Sequence, residues 1–184
     1  VALAAWAAFY CPGLLFPLIG GVGVCWVYSA RLKRVAIADV LMMTLWGGIM
    51  PSTGISLDSS SGWILVGQLA LFSSCFETIQ TLRDRESDAR GGFATTAVFL
   101  GERKTKVLIR VLICLAAAYC ILLLHYLFGL FMIIAALIPV PAGSVEAYWN
   151  RIRLILGLTW LAVLVQFYLY NSPHGLIYAN ILFQ

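Results

Sequence analysis

Acidic and basic side chains crowd into Glu77–Gly101, between two long apolar runs of a chain in which only 11% of residues are charged. Asp84 and Asp88 lie four residues apart there, so on a helical turn both carboxylates project from one face. Magnesium bound by such a pair uses one or two protein carboxylates, keeps several waters and completes its shell with phosphate oxygens. The spacing therefore indicates a site that could hold a diphosphate through metal ions.

The arginines in the same stretch could bind phosphate oxygens through paired hydrogen bonds and stabilise a departing diphosphate. A second interpretation fits the same residues. In it, the stretch is a solvated loop at the membrane surface, where acids and bases pair with each other and the arginines face lipid headgroups. A DxxxD pattern is common, so its spacing alone leaves both interpretations open.

The composition places the chain in a membrane. Of its 184 residues 62% are hydrophobic, and the mean hydropathy is +0.94. A soluble domain of this length cannot bury so much apolar surface, so we expect an integral, polytopic membrane protein. The five cysteines lack the CxxC or Cys/His spacing of a zinc site or a disulfide framework.

The apolar runs predict an all-α transmembrane helical bundle with about six full spans after a partial first one. Val1–Tyr10 is half a span, and Cys11–Gly13 ends it because proline interrupts the helical hydrogen-bond ladder. The full spans are Leu14–Tyr28, Ala36–Ile55 (kinked or ended by Pro51), Trp63–Gln80, Val107–Leu124, Tyr126–Val140 and Leu154–Tyr170. A charged loop continues from Gln80 through Thr105, and a polar segment precedes Leu154.

Basic residues mark one face of this bundle. With spans alternating in direction, Arg31–Arg34, Arg83–Lys106 and Arg151–Arg153 share one side, and Arg110 lies one turn inside it. All 12 basic residues then belong to that side, and the opposite turns contain none. The positive-inside rule places the charged face in the cytoplasm.

Polar and aromatic side chains inside the spans suggest what the bundle encloses. Glu77 and Gln80 should face its interior because polar groups avoid lipid. An apolar channel could be lined by Trp26, Trp46, Phe72 and Phe76, although ordinary bundle packing is the better explanation for any single one of these aromatics. Helix-start electrostatics accounts for Asp39 without a ligand, and His125 and His174 are expected at the opposite interface.

Two stretches resemble the UbiA superfamily of intramembrane prenyltransferases, the group typified by 4-hydroxybenzoate polyprenyltransferase. Asp84–Asp88, continued by Ala89–Gly92 and Phe99–Gly101, is similar to the second aspartate-rich motif of the family. Tyr28–Arg34 is similar to the Tyr-Ser and Leu-Lys-Arg that end its fourth span. The resemblance implies that residues 1–184 are a single transmembrane domain, spans three to nine of a nine-span fold and thus the C-terminal two-thirds of such an enzyme.

The resemblance also implies an activity, the magnesium-dependent transfer of a prenyl group from an isoprenyl diphosphate to an aromatic, quinone-precursor or related lipophilic acceptor in the membrane. Asp84 and Asp88 would be catalytic and bind Mg²⁺. Glu77 and Gln80 could add oxygen ligands, because Thr81 and Ser87 stand where the family often has Asp and Gly. The diphosphate would be bound by Tyr28, Lys33, Arg34, Arg83, Arg90 and Lys104, with Lys106 as an alternative to Lys104.

The first aspartate motif of the family follows its second span and has no counterpart in these 184 residues, which begin inside an apolar run at Val1. We therefore expect the beginning of the chain to be missing and the 184 residues by themselves to be inactive. Two other functions remain open: a UbiA-type terpene cyclase that uses the same diphosphate site, and a non-catalytic truncated relative that serves as a structural subunit of a membrane complex. Membrane lipids are expected as partners and nucleic acid is not.

Overall fold

The computed structural model describes residues 5, 9–32, 35–55, 58–141 and 145–169, without the side chains of 168 and 169. These residues form no strand. Their α-helices are α1 (Leu15–Ala30), α2 (Ala38–Ile49), α3 (Ser60–Arg90), α4 (Thr96–Tyr119), α5 (Tyr126–Leu137) and α6 (Val145–Leu169). A 3₁₀ turn, Pro12–Leu14, leads into α1, and a π-helical turn, Cys120–Leu124, extends α4. The predicted all-α fold is confirmed.

Within the described residues, four segments are long and apolar enough to cross a membrane: Pro12–Ala30, Ser60–Arg90, Thr96–Leu124 and Val145–Phe167. A crossing needs about 20 residues, because an α-helix rises about 1.5 Å per residue through a hydrocarbon core of about 30 Å. The other two helices, α2 and α5, have 12 residues each. Each predicted full span therefore contains one helix, and two of these helices are shorter than a crossing requires. The predicted half-span and the C-terminal tail lie largely outside the described residues.

Local sequence signals set the bounds of the central helices. α2 ends at Ile49, and the 3₁₀ turn Pro51–Gly54 follows, as expected where proline cannot continue the ladder. The N-cap of α3 is Ser59, whose Oγ accepts a hydrogen bond of 3.1 Å from the Gly62 amide. In this stretch the prediction of a break at Pro51 is confirmed.

The charged loop is shorter than predicted at both ends, because α3 continues to Arg90 and α4 already begins at Thr96. Residues 81–90 contain neither glycine nor proline and include several good helix formers. The helix ends only where two glycines follow, at Gly91 and Gly92. The polar segment before Leu154 is likewise helical, since α6 already begins at Val145.

The core of the bundle is built around α3, which packs against α2, α4 and α6. Side chains from four helices form one buried cluster, including Phe72, Cys75, Ile79, Ile109, Ile113, Met132, Tyr148, Ile152 and Leu156. The apolar part of α3 is thus held on several sides. Its charged end, residues 77–90, is a continuation of this buried helix.

Candidate functional site

Three acidic side chains, Glu77, Asp84 and Asp88, form what we name the acidic stripe along one face of α3. Their sequence intervals place them within about 40° of each other around an axis with about 3.6 residues per turn. All three are half-buried, whereas Gln80, predicted to face the bundle interior, is exposed. The stripe therefore presents carboxylate oxygens in a row along about three turns of helix.

Asp84 is paired with its neighbour Arg83. The guanidinium donates from Nε and Nη2 to the two carboxylate oxygens, at 2.8 and 3.0 Å. The same side chain donates from Nη1 to Oε2 of Glu146 on α6, at 3.1 Å. The Arg83 and Asp84 side chains are 32% and 36% exposed, and ion pairs this open contribute about 1 kcal/mol or less. A metal ion or a phosphate could therefore displace this pairing at small cost.

Asp88 is held by the turn that ends α3. Gly92 adopts a left-handed φ of 71°, the Phe93 amide donates to the Asp88 carbonyl at 2.9 Å, and the Gly92 amide donates to Ala89 at 3.3 Å. This is a Schellman motif, which requires a residue such as glycine at the left-handed position. The chain then returns along the helix, so that the Thr95 hydroxyl donates to Oδ2 of Asp88 at 3.2 Å.

Tyr28 and Asp39 complete the site from α1 and α2. Tyr28 lies within electrostatic range of Glu77, Asp39 and Asp88, and Glu77 lies within range of Asp39 and both aspartates of the stripe. Tyr28 is half-buried and Asp39 is 1% exposed. The fold thus brings the Tyr-Ser end of α1 to the acidic stripe.

The predicted basic ligands divide into three groups: one residue beside the stripe, several away from it, and two outside the described residues. Arg83 lies beside the stripe. Arg90 is two positions beyond Asp88, which places it on the opposite face of α3, and its Nε donates to the Glu86 carbonyl at 3.3 Å. Lys104 is exposed on α4. Lys106 pairs with Glu102 at 2.7 Å, and Lys33 and Arg34 lie outside the described residues.

The donor set of the stripe fits a magnesium ion that arrives with a phosphate ligand. In the described part of the chain no three His, Cys, Asp or Glu side chains converge as a preformed metal cage. Magnesium does not need one, since it binds through one or two carboxylates while phosphate oxygens and waters complete its octahedron. Asp84 and Asp88 supply such oxygens, with Glu77 along the same face.

An apolar cavity of about 350 Å³ opens between α2, α3 and α6. Its lining comprises Trp46, Gly47, Met50, Pro51, Leu69, Phe72, Ser73, Phe76, Arg153, Gly157 and Trp160. Phe76 immediately precedes Glu77 in α3, so along the helix axis the cavity ends at the level where the stripe begins. Three of the four aromatics predicted to line a channel are here, and the fourth, Trp26, lines a groove between α1 and α2 that shares Trp46.

Sequence reasoning missed the part played by Asp39, Thr95 and Thr96. Asp39 does lie in the first turn of α2, as predicted, but its carboxyl also accepts hydrogen bonds from Thr96 on α4. The one available signal was an acidic residue buried in an apolar stretch, which requires hydrogen-bond partners. Nothing local identified those partners, 57 residues away.

Comparison with known proteins gives a match to a family model and none to an individual protein or structure. A search of curated proteins and of solved structures finds no significant match. The model of the UbiA prenyltransferase family matches residues 1–172, which include the acidic stripe, Tyr28 and the cavity lining. The chain therefore belongs to the UbiA prenyltransferase family.

Proposed function

We propose that this integral membrane protein is a magnesium-dependent enzyme that transfers the prenyl group of an isoprenyl diphosphate to a lipophilic acceptor, such as an aromatic ring or a quinone precursor. Membership of the UbiA family supports membrane prenyltransferase activity in general. One observation carries the finer proposal: along α3 the aromatic-lined cavity ends at Phe76, one residue before the acidic stripe begins at Glu77. A charged head and an apolar tail of one substrate would need this adjacency.

Asp84 and Asp88 are the proposed catalytic residues and magnesium ligands, with Glu77 and Gln80 as further oxygen donors. Magnesium bound there would act as a Lewis acid and neutralise charge on the diphosphate. Arg83, once released from Asp84, can donate two parallel hydrogen bonds to phosphate oxygens, and the Tyr28 hydroxyl can donate another. The remaining proposed diphosphate ligands are Lys33, Arg34 and Lys104. Arg90 is not among them, because it lies on the face of α3 opposite the stripe.

The cavity residues have a separate task. Phe72 and Trp160 meet edge to face, with ring centroids 6.5 Å apart, and Phe76 lies beside them. Such rings can exclude water and stabilise an allylic cation through their faces. In the proposed transfer the allylic C–O bond breaks and its electron pair leaves with the diphosphate. The acceptor supplies the electron pair of the new bond and then releases a proton.

We also infer that residues 1–184 form one transmembrane domain and that its charged face lies in the cytoplasm. The described basic residues support this orientation, because Arg31 follows α1, Arg83–Arg90 end α3, and Arg151 and Arg153 lie near the start of α6. These positions share one side in an alternating bundle, as the positive-inside rule requires. The proposed partners are the two substrates and membrane lipids, with a protein partner in a membrane complex as a further possibility.

The test is diphosphate release by the full-length protein in membranes, measured with several prenyl diphosphates, with and without acceptors and magnesium. We expect release to require both magnesium and an acceptor. Asp84→Asn and Asp88→Asn should each lower it by roughly 100-fold or more, since each removes a group that stabilises developing charge. Asp58→Asn is the matched control, because Asp58 is an exposed aspartate outside the site.

Release without an acceptor, accompanied by a hydrocarbon product, would instead identify a cyclase. Folded protein that releases no diphosphate across a broad panel would refute the enzymatic proposal and favour a structural subunit.

A further inference from the structure

The buried carboxyl of Asp39 connects α2 to the start of α4. Its Oδ2 accepts a hydrogen bond of 2.8 Å from the Thr96 amide, and its Oδ1 accepts bonds from the Thr96 hydroxyl and, at 2.9 Å, from the Val40 amide. Asp39 is 1% exposed and Thr96 is fully buried. Burying an aspartate is costly unless its oxygens are hydrogen-bonded, and these three donors satisfy that need. Helix-start electrostatics alone does not require this burial, since it also operates at exposed positions.

These contacts replace the ordinary cap of α4. Thr95 is the N-cap residue by its backbone angles, yet its side chain makes no capping hydrogen bond. The carboxyl of Asp39, from another helix, instead takes one of the amide groups that the first turn leaves without a helical partner. The Thr95 hydroxyl is thereby available to donate to Oδ2 of Asp88.

The backbone before Asp39 also departs from ordinary geometry. Ile37, the residue that precedes α2, has a left-handed φ of 70°. A β-branched residue rarely adopts this conformation, because it costs roughly 1–3 kcal/mol and persists only where surrounding contacts impose it. Ile37 lies two positions before Asp39. The helix α2 has to start directly after Ile37 for the Asp39 carboxyl to face Thr96.

We propose that Asp39 is a positioning residue for the metal–diphosphate site: by holding the start of α4 through Thr96, it keeps the Thr95 hydroxyl against Asp88 and so orients that carboxylate. This role rests on the proposed function of the acidic stripe. Asp39 itself binds neither metal nor substrate. It bonds to Thr96, the neighbour of Thr95, and Thr95 is the residue that bonds to the proposed metal ligand Asp88. Loss of a group that supports a metal ligand typically weakens metal affinity about 10- to 100-fold.

The experiment measures the magnesium concentration that half-maximally raises the unfolding temperature of the full-length protein in the presence of inorganic diphosphate. Asp39→Asn and Thr95→Val should each shift this midpoint upward about 10- to 100-fold. Thr95→Ser keeps a hydroxyl and should restore it. The magnesium midpoint of the double variant Asp39→Asn/Thr95→Val should not exceed the higher of the two single-variant midpoints, because both changes disrupt the same chain of hydrogen bonds.

The control is Ser59→Ala, which removes the side-chain cap of α3 at the end away from the stripe. It should lower the unfolding temperature and leave the magnesium midpoint unchanged. If Asp39→Asn does not fold, Thr96→Val weakens the same link by removing only the hydroxyl, and the same criteria apply.

Three results would overturn the positioning role: an Asp39→Asn midpoint equal to that of the wild type, additive effects in the double variant, or no response of the wild type to magnesium and diphosphate. A different outcome would count against the proposed function alone. In that case the midpoints shift as expected while the wild type transfers no prenyl group to any acceptor.

Discussion

Arg83 on α3 and Glu146 on α6 form an ion pair of 3.1 Å between residues 63 positions apart. The same guanidinium holds Asp84 of the acidic stripe with two hydrogen bonds and lies 5.7 Å from the ring centroid of Trp149. The start of α6 and the stripe therefore share one cation. Any ligand that draws Arg83 toward itself also loosens its hold on α6.

Glu146→Gln tests how much this ion pair contributes to the free energy of unfolding. Because the two side chains are 32% and 56% exposed, we expect a loss of only about 0.2–1 kcal/mol in unfolding free energy. The loss should vanish in high salt, which screens exposed charges. Thermal unfolding in detergent at low and high ionic strength measures both effects. Glu86→Gln is the control, since Glu86 is exposed and forms no ion pair within the described ranges; equal losses in the two variants would contradict the prediction.

Gly47 and Gly48 on α2 offer a matched pair for helix packing. A Cβ on Gly47 would clash with the Ser73 hydroxyl and lie 3.3 Å from the Leu69 carbonyl oxygen, whereas one on Gly48 would make an ordinary 3.6 Å contact. Gly47→Ala should therefore destabilise the bundle by about 1–3 kcal/mol. Gly48→Ala should be neutral or stabilise it by up to about 1 kcal/mol through helix propensity. Unfolding of the two variants side by side decides the point, and equal stability would show that α2 and α3 pack less closely there.

Gly157 is a position at which a larger side chain can be introduced into the proposed prenyl cavity. It lines the cavity, and a Cβ there would meet no atom within 4 Å. Gly157→Leu should fill part of the space, so turnover of long prenyl diphosphates should fall more than turnover of short ones. Competition between two chain lengths measures this ratio. Gly23→Leu is the control, because Gly23 is equally unobstructed but outside the cavity lining; a uniform loss across chain lengths would argue against a tail-binding role.

His125 predicts a pH dependence of stability. Partial burial lowers its pKa below the usual value of about 6.5, and its Nδ1 accepts a hydrogen bond from the Leu127 amide at 3.2 Å, capping α5. Folding thus favours the neutral ring. Its contribution is fully present above about pH 6.5 and is lost as the pH falls through the lower folded-state pKa.

The test compares unfolding of the wild type and His125→Asn between about pH 8 and pH 5, since asparagine can cap a helix without titrating in this range. The wild type should lose stability toward low pH relative to the variant. Parallel curves for the two proteins would rule out a contribution from His125.

Local sequence patterns determined the helical class, the membrane setting and the identity of the acidic stripe. Asp84 and Asp88 share a face because a helix repeats every 3.6 residues or so, whatever surrounds it. Pro51 ends the helical hydrogen-bond ladder because it has no amide hydrogen to donate. Gly92 adopts a left-handed φ, which residues with a Cβ rarely adopt. The extent of α3 was also readable in principle, from the absence of glycine and proline before Gly91.

Only the tertiary structure decided how the stripe is supported. The bonds from Thr96 to Asp39 and from Arg83 to Glu146 join residues 57 and 63 positions apart. They depend on how α2, α4 and α6 pack around α3, and no local periodicity encodes that packing. Asp39 therefore looked like a helix-start charge until the opposing helix was in place. A buried carboxyl needs hydrogen-bond donors, and the donors to Asp39 from outside α2 come from α4.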